Sequence, residues 1–183
     1  MIWIIILAGL ALDFITKRWA LATLRHGHVV DIIPGYLDLD YLENRGAAFG
    51  IFQGNVGILA AISILIALGI LLYLVRNPTL PRMVKFSMSL VAAGALGNVI
   101  DRLFYGFVVD FIHFHIQNSW HFPTFNIADM GVVIGAGLLL IYVFFFDEED
   151  GKDPKDPARE DPAREDPNIA AEHDPKRSGT LDE

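Results

Sequence analysis

The sequence predicts an all-α integral membrane protein, with four transmembrane helices and a small extracytoplasmic β element. Three observations point there. Hydrophobic residues make up 53% of the 183 and mean hydropathy is positive, a greasy balance for a soluble domain. Apolar runs approaching membrane-crossing length recur four times. Between the first two, apolar and polar residues alternate with period two around a chain breaker.

The first span runs from Met1 to Leu12 and extends through Asp13 to about Leu24. Its basic residues, Lys17 and Arg18, follow the apolar run, and no small-x-small cleavage site comes after it. It therefore reads as a retained helix rather than a cleaved leader. The first connection, Arg25 to Phe52, holds "VVDII" and "LDLDYL" on either side of "PGY". A β insert outside the membrane is expected at about 25–52. "NRGAAFG" then turns the chain back towards lipid.

The second span, Asn55 to Val75, has twenty-one residues and no charge, enough to cross a hydrocarbon layer of ~30 Å as a helix. The third, Phe86 to Ile100, is fifteen uncharged residues ending in Asp101-Arg102. An adjacent acid and base are cheaper to bury than a lone charge. The third connection carries Phe104, Tyr105, Phe107, Phe111, Phe114, Trp120, Phe122 and Phe125. That aromatic density suits the headgroup interface at the outer face. The fourth span, Met130 to Phe146, is entered through Asn126 and Asp129.

Charge divides the chain in two. Residues 1–146 hold eight acids and eight bases, whereas 147–183 hold fourteen acids and six bases. The body is a neutral membrane domain, and the Asp-Pro-rich remainder reads as an acidic disordered tail. A neutral body carries no footprint for nucleic acid. The absence of cysteine excludes disulfides, thiol nucleophiles and iron–sulfur ligation. Seven bases flank the second connection and early tail, against four on the other side. Both termini are therefore expected in the cytoplasm.

Asp129 stands at the mouth of an apolar helix, where an acid is costly. Asp110, in "GFVVDFIHF", lies nineteen residues earlier. Consecutive spans run antiparallel, so the two acids share one membrane face and a similar depth. Two carboxylates at close quarters do not both ionise cheaply, so the pair keeps one proton near neutral pH. That charge state suits amide hydrolysis: the ionised acid takes a proton from water while the protonated acid donates to the carbonyl. Taken alone, Asp129 is equally compatible with a helix N-terminal charge.

Asn98, Asp101 and Arg102 share one helical face, able to orient the acids or to hold spans together. Asp13 and Lys17, four apart, read as a structural pair. Asn44 fits ordinary turn chemistry. His113, His115 and His121 could hold a metal with Asp110, but His-x-His outside a helical HExxH frame is a weak signal. Beside hydrolysis, the acids are compatible with a small proton- or cation-coupled membrane transporter, and the whole chain with a non-catalytic scaffold.

The motifs "DFITKRWA", "ENRGAAFG", "GALGNVIDRLFYGFVVDFIHF" and "FPTFNIADMGVVIG" together resemble, in order and spacing, the lipoprotein signal peptidases, or type II signal peptidases. The resemblance covers about Asp13 to Gly137. It implies a four-helix aspartic endopeptidase of the bacterial cytoplasmic (inner) membrane. Such an enzyme removes the signal peptide of diacylglyceryl-modified prolipoproteins, cutting just before the lipid-modified cysteine. The catalytic acids would be Asp110 and Asp129. Asp13, Lys17, Asn44, Asn98, Asp101, Arg102 and Asn126 would support them or bind substrate. No metal and no organic cofactor is implied. The expected partners are the prolipoprotein and membrane lipid, and the expected state is a monomer.

Overall fold

Each apolar run becomes a helix. The computed structural model describes residues 1–46, 52–117 and 119–146. The acidic tail, 147–183, and most of the "GAAFG" turn lie outside the described residues. Helix α1 spans Ile2–Thr23, α2 Val56–Arg76, α3 Arg82–Tyr105 and α4 Ile127–Phe145. The third helix, at 24 residues, runs well beyond the fifteen uncharged residues that announce it. Asp101 and Arg102 lie inside its last turns because their side chains find partners within the fold.

Three of these helices, α2, α3 and α4, are long and apolar enough to cross a membrane. Helix α1 has the length, but it carries Asp13, Lys17 and Arg18. Its polarity is turned inside out. Trp3, Ile4, Leu7, Phe14 and Ile15 are exposed, whereas Asp13 and Lys17 are each only 3% exposed. Apolar side chains outward and ion pairs inward is the arrangement that lipid favours.

Helix α3 is the central one. It packs against all three others, and half of its membrane-length window is buried, against 17% for α2 and for α4. Lipid supplies no hydrophobic drive between helices, so close approach depends on small residues. A Cβ on Gly94 would collide with the Ala128 carbonyl and the Val132 side chain, and one on Gly135 would meet the Ser87 carbonyl. Glycine at these two positions sets the α3–α4 spacing.

The sheet draws on two connections. Strands β1 (Val30–Ile33), β2 (Leu37–Asn44), β3 (Val108–Ile116) and β4 (Trp120–His121) form an antiparallel sheet in chain order. The first connection supplies only β1 and β2. The aromatic third connection, expected as an interfacial segment, supplies the other two. Alternation in "FIHFHI" is the local sign of this strand, and pairing with β2 realises it. Gly106, at φ 73°, ends α3 in the left-handed conformation and turns the chain into β3. Phe107 and Phe111 then pack with Ala20 and Leu24, while Phe104, Tyr105, Phe114, Trp120 and Phe122 stay exposed. Strand β1 is exposed along its whole length, so the two-sided burial its alternation suggests does not occur there. A bulge in β2 between Leu39 and Leu42 shifts the β2–β3 register, bringing Leu42 opposite Asp110 and Asn44 opposite Val108.

Candidate active site

Helix α4 begins with a capping box. The Asn126 side chain accepts from the Asp129 amide at 2.9 Å, and the Asp129 carboxylate accepts from the Asn126 amide at 3.2 Å. This box is a local consequence of "NIAD". It fixes Asp129 at the helix mouth, where the dipole favours negative charge.

Asn126 is also committed at its amide end. Its Nδ2 donates to Asp110 Oδ1 at 2.6 Å and to Asn98 Oδ1 at 3.2 Å. One fully buried residue thus bonds the Asp110 carboxylate through its side chain and the Asp129 carboxylate through its backbone amide. The second oxygen of Asp110 accepts from Asn44 Nδ2 at 2.8 Å, and the second oxygen of Asp129 accepts from Asn98 Nδ2 at 2.7 Å. Asn44 is itself braced by the Gly46 amide, 2.9 Å from its Oδ1.

The orientation of Asn98 follows from Lys17. A lysine ammonium only donates, and Lys17 Nζ lies 3.0 Å from Asn98 Oδ1. The amide nitrogen must therefore face Asp129. Lys17 also bridges Asp13 at 2.8 Å and Asp101 at 3.0 Å. Asp13 accepts the Ala128 amide at 3.0 Å, and Asp101 accepts the Val109 amide at 3.0 Å. Arg102 reaches the Gly46 carbonyl at 3.2 Å and the Asn98 carbonyl at 3.4 Å.

All nine residues that the resemblance assigns to the site join one hydrogen-bonded network, drawn from α1, β2, α3, β3 and the start of α4. It holds four carboxylates and two cations. Among the described residues no buried side-chain polar atom lacks a partner. Burial pushes the Asp110 carboxyl up to about 7, helped by the charge of Asp129 and opposed by the hydrogen bonds from Asn44 and Asn126. Asp110 thus holds a proton at a pH where an ordinary carboxyl has lost it.

Several contacts had no local signal. The Ala128 and Val109 amides, which immediately precede the two acids, are held by Asp13 and Asp101; only the fold brings them within reach. The histidines do not gather around Asp110. They gather with Asp38 instead.

A family model described as Signal peptidase (SPase) II matches residues 5–145. The chain is 46% identical over 140 residues to a lipoprotein signal peptidase of Clostridium novyi, covering 76% of this chain and 95% of that protein. It is 45% identical over 152 residues to one of Clostridium tetani, covering 83% and 96%. A solved bacterial membrane enzyme superposes with a TM-score of 0.71 at 32% identity, covering 85% of this chain and 93% of that one. With the matched region running from the first turn of α1 to the end of α4 and including the whole sheet, the chain belongs to the signal peptidase II family.

Proposed function

We propose that this protein is an aspartic endopeptidase that removes signal peptides from diacylglyceryl-modified prolipoproteins, cutting before the lipid-bearing cysteine. The observation that carries the chemistry is Asn126, which hydrogen-bonds Asp110 and Asp129 at once. Family membership supplies the class of reaction and substrate.

Asp110 is the general acid and Asp129 the general base. Water attacks the scissile carbonyl carbon, giving one proton to Asp129, while Asp110 protonates the carbonyl oxygen. As the tetrahedral species collapses, the C–N bond breaks. Asp129 returns its proton to the leaving nitrogen, and Asp110 recovers one from a hydroxyl. The pair ends in its starting protonation state. Asn44, Asn98 and Asn126 hold the acids at fixed angles. Asn44 opens the "NRG" turn and Arg102 holds its Gly46 carbonyl, beside which an extended peptide finds backbone partners. The reaction as drawn requires neither metal nor organic cofactor.

Residues 1–146 are the peptidase domain, with 147–183 an appended tail. Four crossings follow if α1 spans as well. Asp13 and Lys17 point inward, Lys17 to Asp101 and Asn98, and the outward face of the preceding turns is apolar. The exposed Arg18 lies towards the end of the helix, within reach of the Tyr105 hydroxyl. An even number of crossings puts both termini on one side, the cytoplasm of the bacterial inner membrane, and the sheet on the other. The protein acts as a monomer in the surrounding lipid.

The test is a gel-shift cleavage assay on a diacylglyceryl prolipoprotein. Asp110→Asn and Asp129→Asn are each expected to abolish cleavage while the protein inserts normally. Cleavage by either variant at the wild-type rate rejects the reading.

A further inference from the structure

One face of the sheet, away from the two acids, collects a second set of polar side chains. Cross-strand pairing lines up Asp31, Asp38 and His113 across β1, β2 and β3, and places His115 opposite His121. Period-two alternation along β3 puts His113 and His115 on one face and Asp110 on the other. Oxygens of Asp38 lie 2.9 Å from His113 Nδ1 and 3.1 Å from His115 Nε2. One ligand atom from each of Asp38, His113 and His115 falls within 4.8 Å of the others.

The tautomers decide what this cluster wants. His115 Nδ1 lies 2.9 Å from the Gln117 carbonyl. A carbonyl only accepts, so Nδ1 carries the hydrogen. In the neutral ring Nε2 is then a bare lone pair, aimed at a carboxylate oxygen. Two acceptors at that distance repel unless a positive charge sits between them. A backbone carbonyl holding the far nitrogen is the support that metal-binding histidines use. His121 plays the equivalent part for His113, with its Nδ1 3.1 Å from His113 Nε2. Asp31 and Asp38, like charges directly opposed across β1 and β2, are unfavourable without a cation nearby.

We propose that Asp38, His113 and His115 form a binding site for a divalent transition metal of the Zn²⁺ class, with His121 and the Gln117 carbonyl fixing the two imidazoles. Two imidazoles and one carboxylate suit Zn²⁺, with a fourth position open to water. Side-chain exposures of 13–19% leave an entry path from solvent. The site bridges β2 to β3, the strands that bear Asn44 and Asp110. Its role is to clamp that pair, and it takes no part in bond cleavage.

The full-length protein, carrying a non-histidine tag and purified in detergent, is stripped with chelator and dialysed against Zn²⁺. Elemental analysis is expected to find one Zn²⁺ per chain in the wild type and none in His115→Gln or His113→Gln. His121→Ala is expected to weaken binding about 10- to 100-fold, the usual effect of losing an outer partner. His26→Gln with His28→Gln, and Asp110→Asn, are expected to leave binding intact. Zn²⁺ should raise the Tm of the wild type and not that of His115→Gln. X-ray absorption on the wild type alone, expected to show two imidazoles in a nitrogen–oxygen shell, needs no variant to fold. Absence of stoichiometric metal in the wild type, or binding unchanged in both ligand variants, overturns the proposal. In that case a proton shared with Asp38 supplies the positive charge.

Discussion

Asp13 accepts the backbone amide of Ala128 at 3.0 Å, across 115 positions of sequence. Asp101 does the same for Val109, and Lys17 ties the two acceptors together. Each amide belongs to the residue just before one of the proposed catalytic acids. A single buried lysine thereby sets where α4 and β3 begin relative to each other, and so where Asp129 and Asp110 lie.

Removing that cation should be costly. Lys17→Met leaves Asp13 and Asp101 buried without their counter-charge, and breaking a buried ion pair costs about 3–5 kcal/mol. Thermal unfolding in detergent is expected to show this loss, with Asp13→Asn in the same chain recovering part of it. Equal Tm for wild type and Lys17→Met would refute the assignment.

Asn126 is expected to matter more for rate than for folding. Loss of the cap in Asn126→Ala costs about 1 kcal/mol. Losing the side-chain amide that donates to Asp110 and accepts the Asp129 backbone N–H should lower kcat on the order of 10²-fold, the effect of deleting one donor to a reacting charge. Circular dichroism checks that the helices persist. A kcat within about twofold of wild type contradicts the bridging role.

The pH dependence follows from Asp110. The acid must be protonated, and its carboxyl is pushed up to about 7. The alkaline limb of kcat/KM is therefore expected near pH 7, with rate falling as pH rises. The Asn44 hydrogen bond lowers the Asp110 value, so Asn44→Ala should move that limb to higher pH. Stability carries the same sign. The unfolded carboxyl titrates at about 3.9, so the contribution of this proton is full below that pH and is lost as pH rises through about 7. Asp110→Asn should flatten that slope in Tm measured against pH.

The α3–α4 contact is predicted to tolerate no added volume. Gly94→Val places a branched side chain against the Ala128 carbonyl and Val132. Overpacking costs about 1–3 kcal/mol, and the push falls on the residue next to Asp129. Tm and cleavage should fall together. Gly69→Ala, where a Cβ meets no neighbour within 4 Å, serves as the control and is expected to leave both unchanged.

Much of this protein is legible in the chain alone. Four apolar runs locate four helices, because exclusion of charge is a local property. "NIAD" foretells its own capping box, and the breaker "PGY" marks the β1–β2 turn. Ordered motifs pick out the nine polar residues, but not how they touch. Tertiary structure decided the rest. It turned the aromatic third connection into a strand, since β3 is stabilised by pairing with β2 about seventy residues away. It turned Asp13 and Lys17 of α1 inward, made Asn126 the link between the two acids, and set Asp38 rather than Asp110 among the histidines. These outcomes depend on hydrogen bonds between distant segments, and such partners leave no mark in the composition or period of either segment.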